Sequence, residues 1–131
     1  MAYFHLTKDN LDESIKNHKI LLIDFWAEWC GPCKMFGPVF KAAAEKYPDI
    51  GFGSCDTEAE PEVASMFGVR SIPTLAIFKE QILVFSQPGA LPEHVLEDLI
   101  QQTINLDMDE VRQKIADEQA KKDSEAKVSE E

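Results

Sequence analysis

Lys19-Ile20-Leu21-Leu22-Ile23-Asp24-Phe25-Trp26-Ala27-Glu28-Trp29-Cys30-Gly31-Pro32-Cys33-Lys34-Met35-Phe36 decides the fold, because it carries two thiols out of an apolar run and into an apolar periodicity. The run from Lys19 to Phe25 reads as a strand buried on both faces. Beyond the cysteines, Met35, Phe36, Val39 and Phe40 follow a helical spacing, so Cys30 sits at a helix N-terminus. Orphan N–H groups and the helix dipole stabilise an anion there. A thiolate belongs in that position.

The C-x-x-C spacing keeps both sulfurs within disulfide reach, so the pair can cycle without refolding the chain. Cys30 is the expected nucleophile, with a lowered pKa and neighbours (Trp29, Gly31, Pro32) compatible with partial exposure. Cys33, about one turn into the helix, is expected to be more buried and to resolve the mixed disulfide. Half of a zinc site is the competing reading. Zinc needs two more ligands, and Cys55, His5, His18 and His94 form no second paired motif. Redox chemistry is favoured and no metal is expected. Gly31-Pro32 tunes the direction of electron flow: neither residue brings a cation to stabilise the reduced thiolate, so the dithiol is expected to be a good reductant.

Asp24 interrupts a run that is otherwise apolar. Desolvation there disfavours the ionised carboxylate and raises its pKa. A carboxyl poised near neutrality beneath the disulfide can move a proton for Cys33. The blander reading is a structural carboxyl held by backbone hydrogen bonds.

Along the chain, Phe4 to Leu6 reads as a first strand, and Asn10 with Glu13 offers a capping box for a helix to Asn17. The cysteine helix runs to Tyr47 and Pro38 is expected to kink it. Gly51 to Asp56 fits a third strand, and Glu60 to Phe67 a short helix entered through Pro61. Thr74 to Phe78 and Ile82 to Phe85 form a hairpin across Lys79-Glu80-Gln81. The helix beginning near Pro92 carries Val95, Leu96, Leu99 and Ile100 on one face. This alternation predicts an α/β sandwich around a mixed sheet.

Asp24-Phe25-Trp26-Ala27-Glu28-Trp29-Cys30-Gly31-Pro32-Cys33-Lys34 resembles the active-site stretch of the thioredoxin family. Gly68-Val69-Arg70-Ser71-Ile72-Pro73-Thr74-Leu75 resembles its second signature segment. The resemblance spans about Tyr3 to Thr103. It implies a thioredoxin fold: five strands in the order 1-3-2-4-5, with helices on both faces. It makes Ile72-Pro73 a cis-proline element, where sequence alone favours trans. It makes Gly89-Ala90 a third contact loop. Trp29, Ile72, Pro73, Gly89 and Ala90 then form the client-binding surface, with extended polypeptide pairing beside the cysteines. Two positions depart from the family pattern. Ser54 stands where a lysine often neighbours the aspartate, which makes Asp24 harder to ionise, and Pro88 replaces an apolar β-branched residue.

At 131 residues the chain is long enough to bury roughly two thirds of its unfolded surface as one core. Its 13 Lys+Arg against 24 Asp+Glu, a net charge of -11, argue against nucleic acid or anionic membrane as partners. No basic-then-apolar leader opens the sequence, and no apolar run reaches spanning length. Cytoplasmic location is expected, since two of the three cysteines are a redox pair rather than a framework. Residues 1–104 form the expected thioredoxin domain and 105–131 an acidic extension. In the extension, Asp107 and Glu110 suggest a capping box. Ile104, Met108, Val111 and Ile115 make a narrow apolar stripe, which fails at Glu118 and Lys122. A short helix from about Asp107 to Ala120 is expected, its stripe docked on the domain in the favoured reading and pairing with a second copy or recruiting a partner in the others, then disorder from Lys121.

The function read from these residues is a protein-disulfide reductase, monomeric and with no bound cofactor. The resemblance adds its partners: disulfide-containing client proteins, and the flavoenzyme thioredoxin reductase, which draws electrons from NADPH. The rival is a thioredoxin-fold adaptor acting through its tail. Intact Cys30, Cys33 and Asp24 favour the reductase, because an adaptor needs none of them.

Overall fold

The computed structural model describes residues 3–130, with side chains described through residue 126. In chain order the elements are β1 (Tyr3–His5), α1 (Leu11–Asn17), β2 (Ile20–Trp26), α2 (Gly31–Lys46), β3 (Gly51–Asp56), α3 (Pro61–Met66), β4 (Thr74–Lys79), β5 (Ile82–Pro88), α4 (Glu93–Ile104) and α5 (Met108–Glu130). The sheet order is β1-β3-β2-β4-β5, as expected. Strands β1, β3 and β2 run parallel, whereas β4 and β5 join antiparallel.

Strand alternation divides the interior into two clusters. Ile20 and Leu22 of β2, Phe52 of β3, and Leu75 and Ile77 of β4 pack against Phe36, Phe40, Ala43 and Ala44 of α2 and Leu96 and Ile100 of α4. Leu21, Ile23, Phe25, Cys55, Ala76 and Phe78 face the other way, onto Leu11 of α1 and Val63 of α3. Period two along β2 therefore sends Asp24 to the same face as Leu22, beneath α2. In β3 the same alternation sends Ser54 to that face with Phe52. Pro38 lies inside α2, whose 16 residues continue through it.

Several local expectations change. Asn10 is the N-cap of α1 but makes no side-chain cap bond. Its amide donates to the His5 carbonyl at 2.9 Å while its oxygen accepts from Thr7 N–H at 2.8 Å. The loop's own backbone competes successfully for the side chain, so no capping box forms. The β4–β5 turn is shorter than expected: Lys79 pairs with Ile82, leaving only Glu80 and Gln81 between the strands. Both have positive φ, 51° and 69°, the twist that matches a two-residue hairpin turn.

The C-terminal helix corrects the sequence reading most clearly. Helix α5 does not end near Ala120; it runs from Met108 to Glu130, where disorder was expected from Lys121. Glu131 lies outside the described residues. Losing the apolar stripe removes a reason to pack but no reason to be helical. The segment contains no Gly or Pro and is rich in Ala, Glu, Gln and Lys. Gln113 and Gln119 also donate to Asp117 and Asp123 at i+4, at 3.0 and 2.9 Å. Asp107 caps the start, accepting from the N–H groups of Asp109 and Glu110 at 3.0 and 3.3 Å. Among the described residues the first turns engage the body: Met108 is buried and Arg112 pairs with Glu80, whereas Ile115 is half exposed.

Lys79, expected in the turn but found at the end of β4, anchors this corner. Its buried ammonium donates to the carbonyls of Thr103, Ile104 and Leu106 at 2.8, 3.0 and 2.9 Å. All three donors of the cation meet carbonyls, two in the last turn of α4, where the dipole is negative, and the third, that of Leu106, just beyond it.

Candidate active site

Cys30 is the N-cap of α2, in extended geometry (φ -89°, ψ 113°), and its sulfur accepts from the Cys33 N–H at 3.2 Å. Extended backbone at residue 30 and helical backbone from Gly31 aim the orphan amide at the sulfur. The same amide is in place to stabilise a thiolate once the pair is reduced. The two cysteines are joined as a disulfide, with Cα atoms 5.3 Å apart. Pro32 occupies the first turn, where a missing N–H costs nothing.

Exposure does not distinguish the two cysteines as expected. Cys30 is 4% and Cys33 5% exposed, so neither cysteine is open in the disulfide form. They differ in surroundings. The Cys30 sulfur lies 3.6 Å from the Ile72 carbonyl oxygen, on the side of the cis-proline loop. Cys33 lines a cleft together with Asp24. Trp29, the residue before Cys30, is 70% exposed, so a shielded sulfur still lies next to an open apolar surface.

The Ile72–Pro73 bond is cis, as the resemblance implied. Pro73 is buried and Ile72 half-buried. The Pro73 carbonyl accepts from the Gly89 N–H at 2.8 Å, which ties the cis-proline loop to the Gly89-Ala90 loop. Gly89 has φ 115°, a conformation that side-chain-bearing residues rarely adopt. Pro88 ends β5 opposite Thr74. Of the contact residues that the resemblance implied, Trp29, Gly89 and Ala90 are exposed, Ile72 is half-buried and Pro73 is buried, while Gly31 and Pro32 beside the disulfide are exposed. The Trp29 indole N–H donates to Glu58 at 2.7 Å, a partner with no signal in the sequence.

Asp24 is 3% exposed, and its Oδ1 is buried without a hydrogen-bond partner among the described residues. Burial pushes its carboxyl up from the ordinary 3.8 to about 7. Backbone hydrogen bonds do not hold that oxygen, contrary to the blander reading. Ser54 sits directly opposite Asp24 in the β2–β3 register, the place the resemblance implied for it. Its hydroxyl accepts from the Trp26 indole N–H at 2.7 Å. No cation contributes to the Asp24 shift; desolvation alone accounts for it. Cys55, on the opposite face, is fully buried, and burial first, then nearby carboxylates, pushes its thiol up to about 12. It is inert packing.

This geometry has close counterparts. Residues 2–102 match the family model described as Thioredoxin. The chain is 60% identical over 115 residues to "Putative thioredoxin 2" of Streptomyces coelicolor, covering 88% of this chain and 86% of that one. It is 44% identical over 94 residues to the thioredoxin of Porphyra purpurea, covering 71% and 88% respectively. Among solved structures it resembles a single-site mutant of a thioredoxin from Halobacterium salinarum, with TM-score 0.72, 34% identity, and coverage of 80% of this chain and 91% of that one.

Proposed function

The chain belongs to the thioredoxin family, and from that premise we propose that Cys30 attacks client disulfides and Cys33 completes the exchange. The activity is thiol–disulfide oxidoreduction, a protein-disulfide reductase. In the reduced state the Cys30 thiolate, stabilised by the Cys33 amide, attacks one sulfur of a client disulfide. A Cys30–client bond forms, the client S–S bond breaks, and the departing thiolate takes up a proton. Cys33 then loses its proton and attacks the Cys30 sulfur. The mixed disulfide breaks, the client leaves as a dithiol, and two electrons have passed to it.

Asp24 serves the second step. It shares a cleft with Cys33, and near pH 7 half of it is ionised and able to accept the thiol proton, through a water if necessary. Clients lie across Trp29, Ile72 and Gly89-Ala90, where the missing N–H of Pro73 leaves the preceding backbone open for strand-like pairing. Gly31 and Pro32 bring no cation to the sulfurs, which favours the direction of reduction.

The oxidised pair is returned to dithiol by thioredoxin reductase, a flavoenzyme using NADPH; this chain has no dinucleotide fingerprint of its own. The protein works in the cytoplasm as a monomer, its domain ending near residue 104 and the acidic extension beginning at 105. The observation that carries the reading is the Cys33 amide bonded to the Cys30 sulfur at a helix N-terminus, beside a cis-proline. NADPH oxidation coupled to insulin reduction, with thioredoxin reductase added, tests it. Turnover that vanishes in Cys30→Ser is expected, and none in the unaltered protein refutes the assignment.

A further inference from the structure

A cleft of about 480 Å3 lies against Asp24, yet Asp24 is 3% exposed and its Oδ1 is closed to solvent. A side chain therefore stands between the cleft and the carboxyl. Helix α2 does not supply it at this end, because Gly37 lines the cleft and a Cβ there would meet nothing within 4 Å. The register of the sheet identifies the cover. Asp24 lies opposite Ser54, and Trp26 opposite Asp56. Period two puts Asp24 and Trp26 on one face of β2, and Ser54 and Asp56 on the same face of β3. The Trp26 indole N–H donates to Ser54 at 2.7 Å, one same-face step back along the ladder rather than straight across. Such a diagonal is within reach of an aromatic side chain, and it lays the ring against the Asp24–Ser54 pair. Asp56 does not compete for the N–H, since its Oδ1 accepts from the backbone N–H groups of Glu58 and Ala59 at 2.9 and 3.4 Å. The backbone of Trp26 is pinned as well: its carbonyl accepts from the Thr57 N–H and hydroxyl at 2.9 and 3.1 Å.

We propose that Ser54 is a positioning residue for the reduction: accepting the Trp26 indole N–H, it holds the ring over Asp24 and keeps water from the carboxyl that takes the Cys33 proton. This deepens the reductase reading and rests on it. Burial is the only cause of the Asp24 shift, so the group that maintains the burial sets how strong a base Cys33 meets. Apart from Cys33, the charged and titratable groups around Asp24 are Tyr3 and His5 on β1, Glu28 after β2, Asp56 on β3, and Lys34 and Lys41 on α2. Strand β4 places apolar Leu75 beside it. Lys41 is drawn aside, with Nζ 5.5 Å from the centroid of the Tyr3 ring, and none of these charges contributes to the shift. Two ways for Ser54 to act on Asp24 have opposite signs. As a polar neighbour it stabilises the carboxylate, and its loss raises the Asp24 midpoint. As the holder of Trp26 it keeps the carboxyl dry, and its loss admits water and lowers the midpoint.

Carbon-13 NMR of the labelled Asp24 carboxyl in the disulfide form reads that sign with no dependence on turnover. In Ser54→Ala the midpoint is expected to fall by roughly 0.5–1 pH unit as water reaches the carboxylate, and the Trp26 indole N–H to lose its protection from hydrogen exchange. Trp26→Phe keeps a ring and removes the donor, so a similar fall is expected, with no further fall when the two changes are combined. Ser54→Thr keeps an acceptor hydroxyl, and its midpoint and indole protection are expected to match those of the unaltered protein. In single-turnover release of a client from Cys30, the acid limb of the pH profile is expected to move down with the midpoint in Ser54→Ala. A midpoint that rises or stays in Ser54→Ala, falls that add in the double variant, or a release profile that stays while the midpoint moves overturns the proposal. Lower stability with an unmoved midpoint makes the Ser54–Trp26 bond a packing contact alone and overturns it too. Failure of the reductase reading is separate: it appears as absent turnover in the unaltered protein, where the carboxyl midpoint is still read.

Discussion

Replacing Asp24 by Asn removes a carboxyl whose ionisation the interior opposes. The carboxyl titrates at 3.8 in an unperturbed setting and at about 7 when folded, so the native state holds its proton where the unfolded chain has lost it. Stability from this group is fully present below pH 3.8, declines as pH rises, and is lost once pH passes about 7. The gap corresponds to roughly 4 kcal/mol between the two limits. In the Asp24→Asn variant the dependence is absent. Below pH 3.8 one neutral unpartnered group replaces another in both states, and the stabilities stay close. Between pH 5 and pH 8 the advantage of the Asn variant is expected to grow by roughly 2–3 kcal/mol. Urea denaturation of both proteins in the disulfide form, at pH steps from 5 to 9, reads this as a midpoint separation widening by about 1–2 M for a domain of this size. The other titrating groups cancel in the comparison. A separation that changes by less than about 0.5 kcal/mol across that range refutes the buried, uncompensated carboxyl. The variant is also expected to slow the release of clients near neutral pH, which single-turnover kinetics measures.

Cys33→Ser is expected to leave clients bound to Cys30 as stable mixed disulfides, seen as reducible adducts on non-reducing gels, because the second attack is lost. Lys79→Met leaves three carbonyls at the end of α4 without their donor and is expected to destabilise the protein by about 2–4 kcal/mol, read as a lower urea midpoint. Deleting α5 after Asp107 removes buried Met108 and the Arg112–Glu80 pair while sparing the Lys79 anchor. A melting temperature lowered equally at all protein concentrations is expected, whereas a loss that depends on concentration points to self-association through α5.

The stretch from Lys19 to Phe40 determined its own structure, because everything it needs is local. Apolar residues make β2, the orphan amides of α2 follow directly after Cys30, and Pro32 fits the first turn. Strand alternation, read two residues at a time, places Asp24 under the helix that carries Cys33. Gly89 and the cis Ile72–Pro73 bond were legible only through resemblance, since nothing in their immediate neighbours demands either. Tertiary structure alone decided which distant groups meet. Ser54 accepts from Trp26 across 28 positions, Trp29 reaches Glu58, and Lys79 finds the carbonyls of Thr103, Ile104 and Leu106. It also equalised the burial of Cys30 and Cys33, which helix position had set apart, by bringing the Ile72 loop against the first. In α5 the balance runs the other way: propensity and i,i+4 pairs carry the helix past the end of its apolar stripe, with no packing required. Local hydrogen bonding and period are written in neighbouring residues, whereas burial and long-range partners exist only once the chain has closed on itself.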